Sequence, residues 1–503
     1  MGNDLRSTLD HIFESLLVLG PEVILSIGIL LVIIVGLVKK EHAIPTLLSL
    51  LIFSFSFLFI IADWKALTEP ISLFQGMLRQ DTFSLYLRGL TDIAGILTVL
   101  MSWRNQGAQR NLSEYYALII AAVLGTHLLV MSTNLLMVFL SLELISISSY
   151  VLTGFLFDKK GAEGSLKYFL FGSVASAVML YGLSMFYGFT GTLDFTSEVF
   201  FTKLYPNQTP LFFIAGLMTV SGFLYKIAAA PLHPWAPDVY EAAPMPIIAF
   251  FSVVPKLAGI GVLTRFIMAI NLGGSASYDW QFVLGIVAIL SLTVGNFSAL
   301  MQKNPKRLMA YSSIAQAGFL LIGVIAFLPQ GIQFMLFYAT VYVVMNFLVF
   351  IYLQYFEKNG FVSIAEYSGI GKTFLWPSIF LLIALISLTG LPPTAGFTAK
   401  LFIFSSLWEA YQLTGKNILV WLLIFGLLNT VVSLFYYLRI PYYAFIKNRE
   451  SELKTNILAF ENLFGFVLVL LILLFFFSPG LLMGWINKIT FVFVIRYPLS
   501  VIG

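Results

Sequence analysis

Five ionisable side chains lie within long apolar runs of this chain: Glu143 in "FLSLELISIS", Lys167 in "GSLKYFLFG", Lys226 in "FLYKIAAAP", Lys256 in "VVPKLAGIG" and Lys400 in "GFTAKLFIF". A lysine at the centre of a membrane helix costs about 2.5–3.5 kcal/mol, so three of them cost roughly 8–10 kcal/mol, comparable with the net stability of a whole domain. Residues so costly face a paired or hydrated interior and serve a purpose there. The chemistry open to a carboxylate and several lysines is proton transfer. Burial favours the neutral amine, and a nearby carboxylate favours the ammonium. At ~7 Å and an effective dielectric of about 20, one such pair is worth about 2.4 kcal/mol, enough to decide whether a lysine holds its proton. Lysines in a row across the membrane midplane then form a relay, and the charge on Glu143 loads or unloads Lys226.

Not every buried charge reads this way. Lys167 stands four residues after Glu163, so an i,i+4 pair at the membrane surface competes with a role in the relay. Arg265 and Arg439 are expected as interfacial anchors near helix ends, and Arg88 with Asp92 as a structural i,i+4 pair. Lys226 and Lys400 differ because each adjoins a broken helix. "KIAAAPLHPWAPDVYEAAPMP" carries Pro231, Pro234, Pro237, Pro244 and Pro246, and "TGLPPTAGFTAK" precedes Lys400. Proline removes backbone donors and frees carbonyls, which lets water reach the break. His233 either extends the path there or is a structural group at a helix end.

The elements that must hold these residues follow from composition. Of 503 residues 59% are hydrophobic and only 10% are charged, whereas a soluble chain carries roughly a quarter charged. About fourteen apolar runs of spanning length are legible, near 17–38, 44–62, 82–103, 115–132, 134–156, 164–190, 209–230, 246–270, 280–301, 307–328, 331–355, 374–408, 417–445 and 459–485. They do not alternate in polarity as barrel strands would. The expected fold is an all-α polytopic membrane protein in one membrane domain, residues 1–503. The breaks fall in spans seven and twelve, five apart, which is the arithmetic of two inverted five-helix repeats: spans four to eight (115–270) and nine to thirteen (280–445), each with one broken helix.

Lysines and arginines number fourteen in the loops after odd spans and four after even spans. The positive-inside rule then puts both termini on the outer side of a cytoplasmic (inner) membrane. No cysteine is present, which excludes cysteine-ligated iron–sulfur clusters, c-type haem attachment and disulfides. His11, His42, His127 and His233 are scattered without metal-ligand spacing. The polar start "MGNDLRSTLDH" is not a signal peptide, and no P-loop or Gly-rich nucleotide turn occurs.

"SLELISISSYVLTGF", "EGSLKYFLFGSVASAVMLYG", "KIAAAPLHPWAPDVYEAAPMPIIAF", "NPKRLMAYSSIAQAGFLLIG" and "SLTGLPPTAGFTAKLFIF" resemble the proton-conducting, antiporter-like membrane subunits. That family includes three large subunits of respiratory complex I (NADH-quinone oxidoreductase) and subunits of Mrp-type cation/proton antiporters. The resemblance covers spans four to thirteen. Within the family the chain is most similar to the smallest of the three complex I members: Lys400 stands where the M-type member typically has glutamate, and no lateral helix follows span fourteen.

The resemblance implies roles by position: Glu143 and Lys226 as a coupled pair, Lys256 as central relay, Lys400 as exit-side lysine and Lys167 as the residue that tunes Glu143. Gln316 departs from relatives that carry histidine there, and glutamine cannot take up a proton. The resemblance further implies a translocase subunit without redox catalysis or cofactor of its own, with NADH, FMN, iron–sulfur clusters and quinone in partner subunits. Those partners would be an M-type antiporter-like subunit and small membrane subunits of complex I. The chain would otherwise meet only lipid bilayer, protons and water, and no nucleic acid. A subunit of an Mrp-type Na+/H+ antiporter or of a membrane-bound hydrogenase remains an alternative. A stand-alone solute transporter and a haem enzyme using His127 and His233 find less support.

Overall fold

In a bilayer every backbone polar group needs a partner within the protein, and helices meet that need segment by segment. The computed structural model describes residues 2–38, 43–103, 111–204, 209–271, 278–448 and 459–489, excepting the side chains of 2–8, 11, 459 and 460. Its helices are α1 (Gly2–Val18), α2 (Gly20–Val38), α3 (Ala43–Ala66), α4 (Thr82–Ser102), α5 (Leu112–Met131), α6 (Leu135–Thr153), α7 (Lys159–Thr190), α8 (Glu198–Leu204), α9 (Pro210–Lys226) and α10 (Trp235–Ala242). There follow α11 (Met245–Asn271), α12 (Trp280–Leu300), α13 (Pro305–Ile325), α14 (Pro329–Lys358), α15 (Ile370–Thr373), α16 (Leu375–Thr389), α17 (Ala395–Thr414), α18 (Asn417–Phe445), α19 (Ala459–Phe477) and α20 (Pro479–Ile486). One short hairpin, β1 (Ile71–Leu73) with β2 (Leu78–Gln80), pairs Ile71 with Gln80 and Leu73 with Leu78.

Eleven of the described helices are long and apolar enough to cross a membrane, and the bent pair α19–α20 makes a twelfth. The shorter apolar helices α9 and α16 are the first halves of the two spans expected to be broken. With them each of the fourteen runs finds a helix. Two features go beyond the sequence reading. The polar start forms α1, and the last span bends by 83° where Pro479 begins α20. The loop cations Lys39, Lys40, Arg104, Arg110, Arg449 and Lys454, together with His42, lie outside the described residues.

Caps set many of the starts. Asp81 and Ser84 form a reciprocal capping box on α4, and the side chains of Asn134, Asp158, Asp279 and Asn304 cap α6, α7, α12 and α13. α11 is buried over its whole spanning window, and α13 and α14 nearly so, whereas only 28% of the window is buried in α2, α7 and α18. The centre of the molecule is therefore the α11–α13–α14 group. Around it the same neighbours recur in order. α5 packs on α6 and α11, α6 on α7, α7 on α9 and α10, and α9 on α11. Likewise α12 packs on α13 and α18, α13 on α14, α14 on α16 and α17, and α16 on α18.

Candidate functional site

Lys226 is the last residue of α9, where the helix gives way to the proline-rich link. Its ammonium donates to Ser146 Oγ at 2.9 Å, and Ser146 lies one turn beyond Glu143 on α6. Glu143 is among the charges that act on Lys226, and one of its carboxylate oxygens is buried without a hydrogen-bond partner among the described residues. The expected neighbours Glu143 and Lys226 are thus brought together, from helices 80 or so residues apart in sequence.

Lys256 follows Pro255 inside α11. Proline has no N–H for the carbonyl one turn earlier, so α11 is locally polar beside the lysine. The Lys256 ammonium donates to the Ser313 carbonyl of α13. Ser313 Oγ in turn meets the hydroxyls of Tyr240 at 3.0 Å and Tyr342 at 3.2 Å. One turn from Lys256, Gly259 faces α9: a Cβ there would lie 3.5 Å from Lys226 Cβ. The two lysines therefore belong to one contact between α9 and α11.

Lys400 lies on the second half of the other broken span. Its ammonium donates to the Thr389 carbonyl at 2.8 Å and sits 4.2 Å above the Phe319 ring. Thr389 ends α16, and its carbonyl is one of those a helix terminus leaves free. Gly390 turns the chain there with φ +86°, and a Cβ on it would strike Lys400 Cδ at 2.7 Å, so both the turn and the lysine stem require glycine.

Gln316 connects these places. It is one turn from Ser313 on α13, and its amide donates to the Leu388 carbonyl at 3.3 Å and to Tyr437 Oη at 3.2 Å. Its own carbonyl accepts from Tyr338 Oη. Gln316 and Lys400 thus engage successive carbonyls at the end of α16. Tyr437 meets Ser312 Oγ at 2.5 Å. The neighbouring Tyr436 donates to Asn296, which donates to Asn429. Buried polar groups thus lie at Lys256 with Ser313, at Gln316 one turn further along α13, and at Lys400 on the carbonyl next to the one Gln316 engages.

Two expected site residues sit apart from this path. Lys167 is 41% exposed, and its ammonium pairs with Glu163 at 2.8 Å and Asp238 at 2.9 Å. Asp238 also takes Arg307 at 2.9 Å, and Arg307 reaches Glu241. The i,i+4 pair read from sequence is therefore present, within a larger ion network at the rim. His233 is half-buried in the link between α9 and α10, beside the Pro231 carbonyl, and no described hydrogen bond joins it to a lysine.

Two readings require correction. Arg88 does not pair with Asp92; it reaches Glu22 on α2 at 2.8 Å, and Asp92 faces His127 at 3.2 Å. Residues four apart on a helix share a face, but a buried face presents them to different neighbours. Arg265 is fully buried, not interfacial: it pairs with Asp81 at 2.6 Å and donates to the Val130 carbonyl at 2.7 Å. Arg439, in the last third of α18, meets the end of α12, donating to the carbonyls of Leu300 and Gln302. The residues that sequence reasoning missed are neutral: Ser146, Ser313, Tyr240, Tyr338, Tyr342 and Tyr437. Their signal was weak, because serine and tyrosine are unremarked in membrane helices until a partner is seen.

Residues 132–427 match the family described as NADH:quinone oxidoreductase/Mrp antiporter, transmembrane. The chain belongs to that family. It is 38% identical over 478 residues to NADH-quinone oxidoreductase subunit N 2 of Chloroherpeton thalassium, covering 91% of this chain and 92% of that one. Among solved structures it is similar to a chain of respiratory complex I from Thermus thermophilus, with 29% identity, a TM-score of 0.77, and coverage of 92% and 98%. A chain of the Mrp complex from Dietzia sp. shares the fold, with a TM-score of 0.80 at 17% identity and coverage of 94% and 96%. By relatives of like length, the chain stands with subunit N of NADH-quinone oxidoreductase.

Proposed function

We propose that this chain is a proton-translocating membrane subunit of an NADH:quinone oxidoreductase, and that Glu143, Lys226, Lys256 and Lys400 form its relay. The observation that carries the reading is that three lysines are buried in the apolar core, each with its ammonium on a hydrogen-bond acceptor. Glu143 governs Lys226: with the carboxylate charged and near, Lys226 holds its proton, and with that charge drawn away the buried amine releases it. The proton passes over the α9–α11 contact to Lys256. Water and the hydroxyls of Ser313, Tyr240 and Tyr342 carry it onward, and Gln316 holds the path in place up to Lys400. His233 extends the path at the first break. Lys167 acts on Glu143 through the rim network with Asp238 and Arg307.

Glu143 also argues for a complex. It stands beside Leu140 and Ile147, which are 50% and 58% exposed on the outer face of α6. A carboxylate on that edge needs a protein neighbour, not lipid. We assign that neighbour to the other membrane subunits, the M-type antiporter-like subunit and the small ones among them. NADH, FMN, iron–sulfur clusters and quinone belong to partner subunits, and this chain performs no redox step. The termini face outward from the inner membrane. The likeness to an Mrp chain is one of fold, and the sequence relatives favour the oxidoreductase.

We further read residues 115–270 and 280–445 as inverted repeats. Asn134 and Asn304 cap corresponding helices. Gly125 meets Ser141 and Ile145, and Gly295 meets Tyr311 and Ala315, at the same steps from those caps. By that correspondence Ser313 takes the place of Glu143, and Gln316 that of Ser146.

The test is Lys226→Ala in the assembled complex. Proton pumping should fall roughly tenfold or more, the effect of about 1.4 kcal/mol on a transfer equilibrium, while the complex still assembles. Failure to assemble would make the lysine structural.

A further inference from the structure

A second set of buried charges lies outside the lysine path, among α2–α5. Glu22 on α2, Arg88 and Asp92 on α4 and His127 on α5 are all buried. Arg88 Nη2 lies 2.8 Å from the Glu22 carboxylate. His127 Nδ1 lies 2.8 Å from Glu22 Oε1, and its Nε2 lies 3.2 Å from Asp92 Oδ1. Asp92 Oδ2 accepts from Ser56 at 2.6 Å. One imidazole thus bridges two carboxylates, and each carboxylate has a second, fixed partner.

The charges do not balance while the imidazole is neutral: two carboxylates then face one guanidinium. An unmatched charge in such a place costs several kcal/mol. One added proton, on the ring or on a carboxyl, makes the site neutral. Among the described residues, the charges on the surrounding elements are engaged elsewhere, and Arg79 of β2 acts on Asp81. From α11, Arg265 is taken by Asp81. From α6, Glu143 acts at Lys226. From the end of α3, the half-exposed Asp63 adds negative charge that acts on Arg88 and Glu22, and Gln80 links it to the site by donating to it at 3.4 Å and accepting from Arg88 at 3.1 Å. Among the described residues Arg88 Nε is buried without a hydrogen-bond partner, and His127 Nε2 and Asp92 Oδ1 face each other at 3.2 Å without an aligned hydrogen bond, so a proton has room to settle between them. Glu22 is near the start of α2 and His127 near the end of α5, at the end of the bundle that the β-hairpin covers. His127 is four residues, about 6 Å, from that end.

We propose that Glu22, His127 and Asp92 form a second proton-transfer site, which loads and unloads during translocation. The ring takes a proton at one nitrogen and releases one from the other, as neutral-range imidazoles do. When a protonated Glu22 gives up its proton, its O–H bond breaks as Nδ1–H forms. The Nε2–H bond then breaks as an Asp92 O–H forms, and the charge moves from one carboxyl to the other. Arg88 steadies Glu22 and Ser56 steadies Asp92 throughout. The site shares no residue with the lysine relay, so each can fail alone.

Solid-state NMR of the full-length chain in lipid, with nitrogen-labelled histidine rings, reads the site directly. The His127 signal is identified by its loss in His127→Gln. We expect it to be imidazolium at neutral pH, because both faces of the ring meet carboxylates, and to change to imidazole as pH is stepped upward from neutrality. A signal locked in one form across that upward range overturns the proposal. The double variant His127→Gln with Asp92→Asn keeps Glu22 and Arg88 balanced, so it should assemble in the complex and pump several-fold less. Assembly with unchanged pumping would make the cluster a static charge lock. Titration of His127 alongside unchanged pumping in Lys226→Ala would retain this site and remove the relay.

Discussion

Gln316 is the residue on which continuity between Lys256 and Lys400 depends. It holds Tyr338, Tyr437 and the Leu388 carbonyl at once. Gln316→Leu keeps the bulk and removes all three bonds, leaving buried polar atoms unmatched at about 1–3 kcal/mol each. We expect it to lower both thermal stability and pumping, read by a melting curve and by proton uptake in vesicles. Gln316→His restores a group that bonds and titrates, and should return pumping close to that of the unaltered chain. Equal pumping in Gln316→Leu would show that the path bypasses this position. The lysines themselves are expected to behave like Lys226, in which the charge, not the packing, is what function needs.

Among the elements, the α12–α13 contact is a close one to probe. A Cβ on Gly295 would lie 2.6 Å from Ala315 N and 2.8 Å from the Tyr311 carbonyl. Backbone cannot yield as a side chain can, so overpacking outweighs the ~1 kcal/mol that alanine gains in a helix. Gly295→Ala should therefore lose on the order of 1–3 kcal/mol. Gly125→Ala, whose nearest obstacle is the Ile145 side chain at 2.8 Å, should lose less; both are measured by unfolding in detergent. The Asp81–Arg265 pair ties the start of α4 to α11. Burial alone would push the Asp81 carboxyl up, but the Arg265 guanidinium and the Ser84 N–H hold it below the usual carboxylate range. A lowered pKa means its contribution is complete above about pH 4, the unfolded value, and is lost only as pH falls further through the folded value. Asp81→Asn leaves a buried guanidinium unmatched and should cost roughly 3–5 kcal/mol at neutral pH. Stability of the variant, followed by melting against pH, should no longer carry this acid-side loss.

For the molecule as a whole, the exposed faces matter most. α2, α7 and α18 bury little of themselves, while α11, α13 and α14 are enclosed. Apolar exposure alone fits lipid, but Glu143 on the edge of α6 does not. A gently solubilised, C-terminally tagged chain should therefore run on a native gel in a very large band that reduces dye with NADH. A large band without that activity would favour the Mrp or hydrogenase assemblies. A small solitary band would point to a transporter acting alone.

The apolar runs determined the all-helical membrane fold, because a bilayer leaves the backbone no other way to satisfy itself. Proline placed the breaks in spans seven and twelve for an equally local reason. The lysines stood out because each is costly where it lies. What sequence could not supply was partnership. Arg88 and Asp92 looked paired by spacing, yet they turn to Glu22 and His127 on other helices, and Arg265 looked interfacial until Asp81 enclosed it. Nor did sequence mark Ser146, Ser313 or the tyrosines, which become a path only when helices far apart in the chain are packed together. Helix formation and cost of burial are properties of a residue and its near neighbours. Pairing across helices is set by packing, and only the tertiary structure decided it.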